Sequence, residues 1–106
     1  MAIRDYRDRR TAAFVQGERV AAFQQIERQA TRAITRLQAV TRLIELRTPA
    51  NRFEALRGDR AGQYSIRIND KSRVCFRWAV TEAPEGKDPL MVQGEPYDIE
   101  ITNHYD

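Results

Sequence analysis

The sequence predicts an α+β fold in which two N-terminal helices pack on a small antiparallel β-sheet. Three observations carry that expectation. Between Arg19 and Val40 the apolar residues Val20, Phe23, Ile26, Ala30, Ala33, Ile34, Leu37 and Val40 recur at steps of three and four, which makes one stripe on a helix. Between Gln63 and Trp78 the pattern changes to strict alternation, interrupted once by the turn residues Asn69-Asp70-Lys71. The helical patterns precede a run of strand patterns, an order that favours helices on one face of an antiparallel sheet over alternating βα units.

The elements follow in order. Ala2–Asp5 is expected to form a short edge strand. Tyr6, Arg10, Ala13 and Phe14 lie at helical spacing, and Gly17 supplies a stop. The long helix over Arg19–Val40 carries a separate row of Arg28, Arg32 and Arg36 at i, i+4, expected to be a solvated face. Thr41 caps a short helical turn bearing Leu43, Ile44 and Leu46, and Thr48-Pro49-Ala50-Asn51 ends it, because proline and the residue before it resist helix. Arg52–Arg57 is expected to be a strand entering the hairpin. Its strands are Gln63–Ile68 and Arg73–Trp78. Tyr64, Ile66, Ile68, Val74, Phe76 and Trp78 fall on one face, and Ser65, Arg67, Arg73, Cys75 and Arg77 on the other. Val80–Pro96, with Pro84, Gly86, Pro89, Gly94 and Pro96 among charges, is expected to be a long loop. In the last strand, Tyr97–Asn103, the residues Tyr97, Ile99 and Ile101 are expected inward and Asp98, Glu100 and Thr102 outward.

At 106 residues the chain supports one domain, 1–106, with one core. No apolar run approaches the ~18 residues of a membrane span, and the start Met-Ala-Ile-Arg-Asp-Tyr-Arg has no apolar targeting region. With a single cysteine, Cys75, no intramolecular disulfide forms, and the cytoplasm is the expected compartment. Charge is unevenly placed. Residues 1–80 hold 17 Lys and Arg against 8 Asp and Glu, and residues 81–106 hold 1 against 7. The basic part points to an anionic partner.

Several chemistries are excluded by inventory. A lone histidine, His104, and a lone cysteine give no zinc-ligand set, so no metal and no cofactor is expected. Gly58 and Gly62 are too isolated for a phosphate loop or a dinucleotide fingerprint. Arginines, tyrosines, carboxylates and one histidine remain. That set suits RNA cleavage, because the RNA supplies its own 2′-hydroxyl as nucleophile and the protein must only move protons and stabilise developing phosphorane charge. Arg73 begins a strand on the polar face beside a turn and is the first candidate. Arg57 could join it, and His104 has the residue type for acid or base work near neutrality. The purely structural alternative for Arg73 and Arg57 alike is a cross-strand ion pair with Glu100 or Asp98.

The stretch Asn51-Arg52-Phe53-Glu54-Ala55-Leu56-Arg57-Gly58-Asp59-Arg60-Ala61-Gly62-Gln63-Tyr64-Ser65-Ile66-Arg67-Ile68-Asn69, followed by Arg73-Val74-Cys75-Phe76-Arg77-Trp78, closely resembles the HigB-type toxins of the RelE superfamily. The final Tyr97-Asp98-Ile99-Glu100-Ile101-Thr102-Asn103-His104-Tyr105 is similar to their last strand and aromatic-histidine tail. The resemblance implies the toxin of a type II toxin–antitoxin pair that enters the ribosomal A site and cuts mRNA there without metal. It implies as partners the ribosome, mRNA and a helix-turn-helix (HigA-type) antitoxin, with operator DNA bound only through the complex and no membrane. In that frame Arg73 matches the arginine at the scissile phosphate, and Arg57 a supporting basic position, usually lysine. Glu54 stands where some members carry histidine. The family ending Asp-Tyr-His is replaced by Asn103-His104-Tyr105-Asp106, so either His104 or Tyr105 is placed to take the acid–base role. Arg52, Arg60, Arg67, Arg77 and Lys71 are the expected RNA-binding residues. The alternatives are a gyrase-poisoning toxin of the same superfamily, and a catalytically inactive nucleic-acid-binding or autoregulatory module.

Overall fold

The structure, a computed structural model, describes residues 5–103. The helices α1 (Arg9–Val15) and α2 (Glu27–Ala39) precede a four-stranded sheet of β1 (Glu54–Ala55), β2 (Tyr64–Arg67), β3 (Ser72–Val80) and β4 (Gly94–Asn103). Every strand pairs antiparallel with its sequence neighbour, in the order β1-β2-β3-β4. The predicted α+β architecture is present. Ala2–Asp5, expected as an edge strand, lies outside the described residues except for Asp5.

The helix expected over Arg19–Val40 divides in two. Ala21–Ile26 is a 3₁₀ helix and α-helix begins only at Glu27. Val20, Phe23 and Ile26 are spaced by three, which matches the three residues per turn of a 3₁₀ helix and keeps all three on one side. From Ala30 the spacing lengthens, and Ala30, Ala33, Ile34 and Leu37 bury the face of α2 that lies against β3 and β4. Phe23 meets Phe14 of α1 edge to face at 5.6 Å, which joins the two helical layers. Arg28 and Arg32 are exposed, as a solvated face requires, whereas Arg36 donates to Oδ1 of Asn51 at 3.2 Å.

Asn51 is 4% exposed and donates from Nδ2 to the Leu46 carbonyl, while its own carbonyl accepts from Arg67 N–H. It ties the end of the helical half to β2. The next residue, Arg52, sits at φ 46, so the chain turns sharply and the strand expected over Arg52–Arg57 shrinks to Glu54–Ala55. Thr41 is not the cap of the 3₁₀ helix Leu43–Leu46. Arg42 holds that position, and the Thr41 hydroxyl donates to Glu45.

The core-facing residues of the hairpin are those the alternation predicts. Ile66 lies opposite Val74 and Tyr64 opposite Phe76, and Ile66, Val74 and Phe76 are fully buried. β4 departs from the expected alternation. Cys75 and Arg77 are two positions apart on β3, but their partners Glu100 and Tyr97 are three positions apart on β4, so β4 carries a bulge with Asp98 at φ 55. The bulge turns Tyr97 to the Arg77 side and puts the buried Pro96 opposite Trp78, which corrects the inward placement of Tyr97.

The outer edge of β4 is covered by the chain's own beginning. Arg7 N–H donates to the Ile99 carbonyl, and the buried Thr11 hydroxyl accepts from Ile101 N–H at 3.0 Å. Thr11→Val keeps the shape but strands a buried donor. It is expected to cost about 1–3 kcal/mol in urea unfolding.

The expected loop Val80–Pro96 is shorter, because β3 runs to Val80 and β4 starts at Gly94. Residues 81–93 are also internally bonded. Glu82 accepts from Gln93 N–H and pairs with Lys87 at 3.0 Å, which together hold its carboxyl below the usual glutamate range. Trp78 Nε1–H donates to the Val92 carbonyl, and Arg42 Nε–H to that of Met91. Among the described residues no helix is long and apolar enough to cross a membrane.

Candidate active site on the polar face of the sheet

The face of β2, β3 and β4 away from the helices carries two charged clusters on one strip of backbone. The first is centred on Arg73. Its Nη1 donates to Ser65 Oγ at 3.2 Å and lies 3.5 Å from Glu54 Oε1. The Arg73 side chain is 18% exposed and that of Glu54 55% exposed, so the arginine is held down and the carboxylate faces solvent. Pairing makes this contact. Glu54 lies opposite Ser65, and Ser65 opposite Cys75, so both side chains reach the face that Arg73 shares. β1 is kept in place by aromatic packing on the core side, with Phe53 stacked on Tyr64 at 5.5 Å and Tyr64 tilted on Phe76 at 6.0 Å.

The second cluster is an ion-pair network. Arg60 meets Glu100 at 3.2 Å, and Arg7 meets Asp98 at 3.2 Å and Glu100 at 3.8 Å. Arg77 Nε–H donates to Asp98 Oδ2 at 3.2 Å. Among the described residues Glu100 and Asp98, the carboxylates expected in a cross-strand ion pair of Arg73 or Arg57, pair with Arg7, Arg60 and Arg77, while Glu54 is a carboxylate beside Arg73. The bulge at Asp98 presents its carboxylate to both Arg7 and Arg77.

The sequence-predicted residues within 5–103 are placed as follows. Arg67 is the cross-strand neighbour of Arg73 and pairs with Asp70. Lys71 is exposed in the β2–β3 turn, Arg52 exposed at the sharp turn before β1, and Arg57 exposed at the head of the 3₁₀ turn Gly58–Arg60. Arg60 and Arg77, expected at RNA, are engaged by carboxylates. His104 and Tyr105 lie outside the described residues. β4 ends at Asn103 opposite Ser72, with Thr102 opposite Arg73, so the described chain stops beside the first cluster. Sequence reasoning missed the role of Ser65. A small hydroxyl residue on a strand's polar face, directly opposite Glu54 on the neighbouring strand, was the available signal.

Cys75 lies between the clusters, fully buried, and desolvation pushes its thiol up to about 11. Its thiolate is scarcely populated at pH 7.5, so a native-state thiol titration is expected to show no fast-reacting cysteine, and one equivalent on unfolding in guanidinium. Rapid modification of the native protein would contradict this burial. Among the described residues no group of three or more His, Cys, Asp or Glu is arranged to hold a metal ion.

The arrangement places a partly desolvated guanidinium between the Asp98–Glu100 ion-pair network and a turn that bears the exposed Lys71 and the Arg67–Asp70 pair. Such a donor can stabilise charge that develops on a phosphate, and an adjacent exposed carboxylate can accept a proton. A family model described as the RelE-like toxin of the type II toxin–antitoxin system HigB matches residues 4–87. The match includes Glu54, Arg57 and Arg73 and ends before β4 begins. No curated protein matches the chain.

Proposed function

The chain belongs to the HigB-like family of RelE-like type II toxins, and from that premise we propose that it is a ribosome-dependent endoribonuclease that cuts mRNA in the A site. As a type II toxin it has a protein antitoxin as partner. The observation that carries the nuclease reading is the Arg73–Ser65–Glu54 cluster, in which an arginine is positioned by neighbours and bordered by an exposed carboxylate.

In the proposed reaction the ribose 2′-hydroxyl attacks the adjacent phosphorus. A base takes the hydroxyl proton, the bond to the 5′-oxygen breaks, and an acid returns a proton to that oxygen. The products are a 2′,3′-cyclic phosphate and a 5′-hydroxyl. Arg73 stabilises the equatorial oxygens. Glu54 is the proposed base, and His104 or Tyr105 the proposed acid. Arg57, Lys71, Arg52 and Arg67 hold the strand by its phosphates, so binding weakens with salt. Arg60 and Arg77 act at RNA only by exchanging a carboxylate for phosphate. The whole chain acts as one toxin domain in the cytoplasm, neutralised by a HigA-type helix-turn-helix antitoxin through which operator DNA is bound.

Primer extension on a defined message in a purified translation system tests this reading. Cuts within the A-site codon that require ribosomes are expected. Intact message at concentrations that still arrest growth would overturn the nuclease and direct attention to gyrase.

A further inference from the structure

On the helical side of the molecule a cleft of about 540 Å³ opens between α1 and the segment leading into the 3₁₀ helix Ala21–Ile26. None of the sheet residues assigned to catalysis lines it. Arg9, Ala12, Ala13 and Gln16 fall at i, i+3, i+4 and i+7, so one side of α1 offers two alanines flanked by an arginine and an amide. Gly17 at φ 95 reverses the chain and brings Arg19, Val20 and Ala21 to the other wall. Arg10 also lines the cleft, with its guanidinium over the Phe23 ring at 5.6 Å. Arg9 and Arg19 are exposed, and Glu18 is the one carboxylate in the lining.

We propose that this cleft is a second RNA-binding site, taking the sugar-phosphate backbone of an RNA strand other than the one held at Arg73. Three guanidinium forks against one carboxylate suit phosphate oxygens, and a floor of small apolar side chains leaves room for ribose. The sheet face differs, because there Asp98 and Glu100 already engage three arginines. Contacts of this kind orient a protein on RNA without reading sequence. The inference rests on the RNA-directed reading above.

The test is fluorescence anisotropy of a labelled 2′-O-methyl RNA 20-mer, which has no free 2′-hydroxyl to react, over a range of salt and without ribosomes. Arg9→Ala/Arg19→Ala is compared with Arg28→Ala/Arg32→Ala, which removes the same charge from exposed positions outside the cleft. The cleft variant is expected to bind about tenfold more weakly and to flatten the salt slope by about 1–2, with a clearly smaller change for the α2 variant. Equal losses in the two variants, or none in the cleft variant, overturn the proposal. So does polyglutamate displacing the RNA at equal charge concentration, which would assign the cleft to an acidic protein segment. A failed ribosomal cleavage assay removes the nuclease reading and leaves this binding result standing, so the two failures are distinguishable.

Discussion

Arg73→Ala is expected to lower A-site mRNA cleavage by about 10²–10³-fold while the protein stays folded with a modestly lowered unfolding midpoint. That loss corresponds to about 3–4 kcal/mol of transition-state stabilisation from one positioned donor. The guanidinium is mostly shielded from solvent and its Nη1 is directed by Ser65 and Glu54, so little reorganisation is needed when charge develops on phosphate. Its removal returns Glu54 to water at little cost but takes a donor from the buried Ser65 hydroxyl, which is expected to cost about 1–3 kcal/mol of stability. Arg73→Lys keeps the charge but not the planar fork and is expected to recover only part of the rate. Single-turnover cleavage on programmed ribosomes, with ribosome binding measured separately, checks the split. A variant that binds ribosomes and cleaves at the wild-type rate would remove Arg73 from the chemistry.

Phe76→Ala is expected to cost about 3–5 kcal/mol of stability, a large fraction of what a chain of this size possesses. Phe76 is fully buried in β3, on the opposite face from Arg73. Truncation leaves a cavity beneath Tyr64, and Tyr64 stacks on Phe53 beside β1. The damage therefore reaches Glu54 through the aromatic contacts as well as the core through lost burial. Urea unfolding followed by circular dichroism measures the cost. Cleavage by the fraction that remains folded shows whether the aromatic packing also positions Glu54. The two substitutions lie three residues apart on one strand and separate chemistry from folding: the first removes activity with the fold intact, the second lowers both.

Much of this was legible in the chain. The alternation of Tyr64, Ile66, Val74 and Phe76 against Ser65, Arg67, Arg73 and Cys75 is a local property of a pleated strand, and the structure keeps both faces as read. The halt of α1 before Gly17 follows from a backbone that only glycine adopts at little cost. The 3₁₀ helix is also present in the spacing of Val20, Phe23 and Ile26, but a stripe of mixed threes and fours does not by itself mark where 3₁₀ gives way to α-helix. For the site, the residue types and the centrality of Arg73 were readable, and its partner was not. Glu54 is brought to it by pairing with Ser65 across the connection that holds the 3₁₀ turn Gly58–Arg60, after the sharp turn at Arg52 has led the chain into β1.

Side-chain facing along a strand, turn chemistry and helical spacing depend on neighbours a few residues away, so the order of elements, the sheet and its basic face can be read directly from the 106 residues. Which carboxylate meets which arginine depends on register between segments distant in sequence, and on a single extra residue in β4. The bulge at Asp98 turns Tyr97 outward and gives Asp98 to Arg7 and Arg77, while the pairing of β1 with β2 sets Glu54 beside Arg73. A one-residue insertion in a ladder reverses the face of the strand beyond it, and no local pattern announces it, because its cost and its reward both arise from the strand alongside.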